Sequence, residues 1–199
     1  MTRYDGTRFR LFNSADGVEE VLFSIRLDRE DNLWAVGSRS VLQYDGHSFR
    51  RFERYADFVP EGGQVNLRFP DEFMLIEDLI HDQAGHLWIG TYGWGVVRFD
   101  GKNIRDFNVE DGLGSRFVND FFDDRDGHLW LFPGHPREGM TGEGVTHYDG
   151  RVFQVLGRQD GLASSTVLGM IQDRDGVYWF GTPNGLTRYD PGQLSPPPV

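Results

Sequence analysis

The 199 residues contain five tryptophans, and one of them, Trp94, stands outside every repeated phrase of the chain. It sits in Thr91-Tyr92-Gly93-Trp94-Gly95, an aromatic pair held between glycines. An indole beside a phenol makes a stacking platform for a sugar ring, and nearby cations or amides can bond to hydroxyls or carboxylates. Arg39, His135, Arg137 and Asn184 lie in turns of the same kind and could fill that second role. The expected binding residues are therefore Trp94, Tyr92, Arg39, His135, Arg137 and Asn184, and the expected ligand is a sugar or an acidic metabolite. Two other readings of Trp94 stay open: packing on a neighbouring element or under a long insertion, and contact with a protein.

Catalytic and metal chemistry finds less support. The six histidines show no His-Glu-x-x-His spacing. The chain also lacks a Gly-x-Ser-x-Gly nucleophile turn and a phosphate-binding loop. Glu19, Glu20, Glu110, Asp111 and Asp160 could supply a glycosidase pair. In so acidic a chain, solvated loop carboxylates are the simpler expectation. Asp123-Asp124-Arg125-Asp126-Gly127 resembles part of a calcium loop, yet the further oxygen ligands and the distal Glu are out of register. A short turn whose Asp bonds its own backbone accounts for the same residues. No metal or cofactor is expected.

The formal charge of -11 repels phosphate backbones, which argues against nucleic acid as a partner. Cysteine is absent, so disulfides and thiolate metal sites are excluded. No apolar run is long enough to span a membrane as a helix, and no membrane contact is expected of this segment. The N-terminus lacks a signal-peptide pattern. A cytosolic protein and a piece of a larger exported chain both fit, the second better because the chain opens in mid-repeat.

The elements that must position these residues are written in a phrase used four times. Asp126-Gly127-His128-Leu129-Trp130 is its plainest form; the others end at Trp34, Trp88 and Trp179. After each comes an apolar strand closing on an aromatic-Asp pair: Tyr44-Asp45, Phe99-Asp100, Tyr148-Asp149 and Tyr189-Asp190. Recurrence every 40 to 55 residues or so, built from short strands, signifies propeller blades. Four antiparallel strands, A to D, are expected per blade, with A near 20–27, 75–81, 117–122 and 165–172, and D near 7–12, 47–52, 102–107 and 151–156. The recurring Trp is expected to pack between blades.

Thr2-Arg3-Tyr4-Asp5 repeats Thr187-Arg188-Tyr189-Asp190 word for word. The last repeat lacks a D strand, so Thr7–Phe12 is expected to complete a last blade, closing the ring and hiding its edges. That blade can be its own, giving four blades, or a partner's in a homodimeric eight-bladed ring. A larger propeller cut short is the third option. The architecture is thus all-β: four blades' worth over 1–193, then a Pro-rich linker over 194–199. Two insertions, 53–74 and 133–143, interrupt the rhythm, and Gln64–Phe69 alternates as a strand might. In a four-stranded meander the B–C loops and D–A connectors emerge on one face, which therefore carries both insertions and Trp94.

The chain resembles the two-component regulator propeller repeat family. His86-Leu87-Trp88-Ile89-Gly90-Thr91, Phe180-Gly181-Thr182-Pro183-Asn184-Gly185-Leu186 and the connectors Asp111-Gly112-Leu113 and Asp160-Gly161-Leu162 carry the likeness. Ala35-Val36-Gly37-Ser38 and Leu131-Phe132-Pro133-Gly134 depart from it. The resemblance implies a periplasmic or extracellular sensory module, without catalysis, that binds a small molecule or oligosaccharide and signals to a domain beyond the Pro-rich tail. A protein-interaction scaffold is the alternative, and a propeller lyase or glycosidase the least favoured one.

Overall fold

The computed structural model describes residues 1–4, 6–71, 76–133 and 144–191. Its elements are short strands in five sheets, each following the last along the chain. An N-terminal hairpin pairs β1 (Thr2–Tyr4) with β2 (Phe9–Leu11). The first full sheet is β3 (Leu22–Leu27), β4 (Leu33–Gly37), β5 (Val41–Tyr44) and β6 (Phe49–Phe52), paired in that order. The second joins β7 (Val65–Asn66) to β8 (Ile76–His81), β9 (Leu87–Thr91), β10 (Val96–Phe99) and β11 (Ile104–Phe107). The third holds β12 (Asp120–Asp123), β13 (Leu129–Phe132), β14 (Val145–Tyr148) and β15 (Phe153–Leu156); the fourth holds β16 (Gly169–Gln172), β17 (Tyr178–Thr182) and β18 (Gly185–Tyr189).

Each full sheet is the expected antiparallel A-to-D meander. The second differs at its outer edge, where β7 pairs parallel to β11 through Ile104↔Val65 and Arg105↔Asn66. The alternating stretch 64–69 thus yields only two residues of strand, because Arg68 turns away to bond Asp106 (Nε to Oδ2, 2.7 Å).

Period-two alternation sends successive side chains of a strand to opposite faces, so each sheet packs in two directions. Trp34, Val36, Val41 and Phe52 meet Leu79, Leu87, Ile89 and Ile104 between the first and second sheets. Trp88, Val96 and Phe107 meet Phe121, Leu129, Leu131 and Tyr148 between the second and third. Trp130, Phe132, Val145 and Leu156 meet Tyr178 and Phe180 between the third and fourth. Trp34, Trp88 and Trp130 are inter-sheet anchors, as expected, whereas Trp179 of the last sheet is only half-buried.

The acidic turn explains why each Trp sits where it does. Asp28 Oδ1 accepts the Glu30 and Asn32 N–H groups, both at 2.9 Å, and fixes the turn. Its other oxygen accepts the Trp34 indole N–H at 2.8 Å. Asp82, Asp124 and Asp173 receive Trp88, Trp130 and Trp179 in the same way at 2.8–2.9 Å. A buried indole needs such a partner.

At the two ends the chain differs from a simple closure. The β1–β2 register, Tyr4↔Phe9 with Thr2↔Leu11, repeats Tyr44↔Phe49 and Tyr148↔Phe153, so the hairpin is the C–D half of a sheet. Among the described residues β2 pairs with β1, and β18 pairs with β17; the pairing of β2 with the last sheet is not made within the chain.

Candidate functional site

The D–A connectors that lead into the elaborated face share one local design. Asn108 Oδ1 accepts the Glu110 N–H (2.8 Å), Asp111 Oδ2 accepts the Asn108 N–H (2.9 Å), and Gly112 closes the 3-10 turn at φ 105°. Asn13 to Gly17 builds the same turn, and Gly157 to Gly161 a version without the side-chain acceptor. Asp111, half-buried, and Asp160, exposed, both cap their own turns by accepting the backbone N–H at its start.

Glu20 departs from the expectation of a solvated acid. Its nearly buried carboxylate accepts the Ser38 hydroxyl (3.2 Å), the Arg39 N–H (2.6 Å) and the Ser40 hydroxyl, and pairs with Arg51 (2.9 Å). Burial alone would raise its pKa, but the Ser40, Arg39 and Ser38 donors and the Arg51 charge together hold it below the ordinary value. This anchors the first B–C turn and leaves the Arg39 side chain exposed. Arg39, Glu19, Glu20, Arg51 and Glu53 line a polar cleft of about 1000 Å³.

The second B–C turn holds Trp94. The Gly93 and Gly95 N–H groups both donate to the Arg116 carbonyl, at 3.1 and 2.7 Å, tying the turn to the following connector. Gly95 has φ 85°, and a Cβ there would lie 2.1 Å from the Phe107 carbonyl oxygen, so this position requires glycine. The Trp94 ring stacks on Phe69 of the insertion, centroids 5.2 Å apart and planes 25° apart, yet the residue stays 39% exposed. With Arg68, Phe69, Asn108 and Arg116 it lines a pocket of about 200 Å³. Arg68 is fixed there by Asp106, Asp111 and Glu110.

The sequence-expected residues thus fall into separate places. Tyr92 turns its edge to Phe117 (5.0 Å) and is half-buried. Arg39 and Trp94 line different cavities. Asn184 donates to the Ala163 carbonyl at 3.3 Å, bracing the fourth B–C turn. His135 and Arg137 lie outside the described residues. Phe69, Arg68 and Arg116 join the Trp94 site without having been anticipated. The alternation of 64–69 was a signal for order in that insertion, but nothing in the spacing says which ring meets Trp94.

Two further clusters escaped sequence reasoning. On the innermost strands Arg26 bridges Asp78 and Asp120, both at 2.5 Å, clamping three sheets. On the opposite face from Trp94, His147 Nε2 lies 3.1 Å from His128 Nδ1, which faces Asp124 Oδ2 at 3.8 Å. Its signal was a departure from the repeat: these two positions read Asn32 and Gln43, His86 and Arg98, His128 and His147, then Val177 and Arg188.

Residues 161–184, from the fourth D–A connector through the last Trp strand to the fourth B–C turn, match the family model described as the two component regulator propeller. That match covers one repeat of the chain. Solved structures agree on the fold. The extracellular domain of BT4673 from B. thetaiotaomicron is 21% identical with a TM-score of 0.66, over 87% of this chain and 23% of that one. That of BT3049 from the same organism, a hybrid two component system, is 20% identical with a TM-score of 0.59, over 85% and 22%. PorZ, a surface component of the type-IX secretion system of Porphyromonas gingivalis, is 16% identical with a TM-score of 0.67, over 94% and 28%. The chain thus spans about a quarter of the length of these structures. No curated protein matches it significantly.

Proposed function

We propose that this chain supplies blades to a non-catalytic sensory propeller, periplasmic or extracellular, whose elaborated face binds a small molecule or oligosaccharide. The observation that carries the reading is the Trp94 platform: an indole backed by Phe69, flanked by Arg68 and Arg116, and still open to solvent. Stacking on the indole suits a sugar face, and Arg116 with the Asp106 and Glu110 carboxylates of the lining suits hydrogen bonds to its hydroxyls. The repeat match and the extracellular domains of one and two component systems among the similar structures support the sensory role. The capping and anchoring roles of Asp111, Asp160 and Glu20 favour binding over hydrolysis, since these carboxylates are already engaged. Ligand binding would act on a domain beyond the Pro-rich residues 194–199.

Thermal denaturation against a panel of oligosaccharides and acidic sugars tests this, with Trp94→Ala alongside. A ligand at a hundred times its dissociation constant adds about 2.7 kcal/mol. The expected result is a ligand whose stabilisation disappears in Trp94→Ala while the variant's own unfolding stays cooperative. Stabilisation that survives the substitution moves the site elsewhere, to the Arg39 cleft first.

A protein partner is the second reading. At about 200 Å³ the Trp94 pocket is smaller than most small-molecule sites, which begin near 300 Å³, and a shallow aromatic-and-Arg patch suits a protein surface. A pull-down from the source lysate that enriches one partner, lost with Trp94→Ala, would favour it. The assembly belongs to the same proposal: two copies joined end to end complete an eight-bladed ring.

A further inference from the structure

We propose that His128, His147 and Asp124 form a site for one divalent transition-metal ion of the zinc type, on the face opposite the Trp94 platform. The ligand-capable atoms of the three residues lie within 4.8 Å of one another. The closest pair, His128 Nδ1 and His147 Nε2, is 3.1 Å apart. Two imidazoles on a tetrahedral zinc with bonds of 2.0–2.1 Å place their nitrogens roughly 3.4 Å apart, so a small ring rotation admits the ion. Two nitrogen donors select zinc, copper or nickel over calcium or magnesium.

The surroundings hold this geometry. His147 lies over the Trp130 ring at 4.4 Å, and His128 is fixed through its backbone N–H, which donates to Asp124 Oδ1 at 2.9 Å. Asp124 Oδ2 accepts Trp130 Nε1 (2.9 Å) and the Tyr178 hydroxyl (2.7 Å). With both of its lone-pair directions used, this buried carboxylate serves the ion mainly by its charge. The two imidazoles are the direct ligands, and water or an anion takes the remaining positions. The His128 side chain is 35% exposed, which gives the ion a path from solvent.

The fold does not need this pair. The first sheet makes the same turn with Asn32, whose N–H bonds Asp28 as that of His128 bonds Asp124, and it places Gln43 opposite its Trp. The second sheet has His86 against Asp82 at 3.0 Å, but Arg98 stands opposite its Trp, where a cation excludes a metal. Only the third sheet carries a histidine at both positions.

The test is titration of the intact chain with zinc in competition with a chromophoric chelator. One equivalent should bind, and magnesium should not displace it. His128→Asn and His147→Gln, which copy the first sheet, should each weaken binding at least about tenfold, and the double variant should abolish it. His86→Asn should leave it unchanged. Independently of any variant, zinc should move the ring nitrogen resonances of His128 and His147 and of no other histidine. Absence of zinc uptake by the wild type overturns the proposal. So does equal binding by the double variant, or resonance changes elsewhere, which would mean an adventitious ion only.

Discussion

A residue's sequence position in the repeat fixes its partner, but its place in the row of sheets fixes its energetic weight. Trp88 is fully buried, with Phe107 at 5.7 Å and Tyr148 at 5.1 Å around it. Trp88→Ala should cost about 3–5 kcal/mol, read from urea denaturation midpoints at unchanged slope. Trp179 keeps the same bond to its turn Asp, yet its ring face has no following sheet to pack on, so Trp179→Ala should cost less than half as much. Titration gives a second prediction at this scale. Desolvation, then the neighbouring His128 charge, lowers the pKa of His147 against weaker pulls from Asp124 and Asp149. As pH falls below about 6.5 the unfolded chain takes up the proton before the folded one does, so stability is full above that value and declines on acidification. Burial would raise Asp124, but the Trp130 and Tyr178 bonds hold it below the ordinary value. Its contribution is full above the unfolded carboxylate value of about 3.9 and is lost as pH falls further. Melting temperature against pH should show both declines, and His147→Gln should shrink the upper one, leaving the part that His81, also lowered by burial, contributes.

Elements were the scale most open to sequence. Alternation in Val145 to Tyr148 and the apolar run Leu129 to Phe132, each beside an Asp-Gly turn, place these strands to within a residue or two. Side-chain period and turn chemistry are local properties, and a local reading recovers them. The 3-10 turns after the D strands were not anticipated, although Asn108 and Asp111 spell a reciprocal cap; the same acids also fit a plain loop. The candidate site was legible only as a face. Which side chains meet there depends on how the 53–74 insertion folds back: Phe69 reaches Trp94 because Asp106 captures Arg68 one residue earlier, a contact 38 residues apart in sequence. The turn that carries Trp94 gives the prediction at this scale. Gly95→Ala forces a Cβ into the Phe107 carbonyl at a left-handed φ, so the turn must open. A loss of about 1–3 kcal/mol or more is expected, together with changed Trp94 fluorescence. Gly46→Ala, at φ 93° with open space around it, meets the backbone penalty without the clash and should cost less.

For the whole molecule the question is what covers its two ends. Phe23, Ile25 and Leu27 of β3 are 61%, 57% and 64% exposed, on the face that in the third sheet receives Trp88. At the other end Ile171 and Leu186, 61% and 65% exposed, flank Trp179 on the face that in earlier sheets enters the next one. One end is therefore the counterpart of the other, which is the condition for a heterologous contact that closes when two copies meet end to end. Apolar surface of this extent is seldom left to water. The charge of -11 on each chain opposes association, so salt should favour it by screening. Sedimentation should show a concentration-dependent dimer that strengthens with salt, and Ile25→Asp or Leu186→Asp should return the protein to monomer with little effect on its melting as a monomer, since both side chains are exposed there. A dimer untouched by either substitution would place the contact elsewhere. A monomer at high concentration and high salt would mean that these faces are made for further blades of a longer chain. The duplicated strand separates the ways of joining: β1 and β18 share the sequence Thr-Arg-Tyr, and a blade has room for one of them. Removing residues 1–4 should therefore strengthen the dimer, because β2 would then take β18 of the second copy as its neighbour.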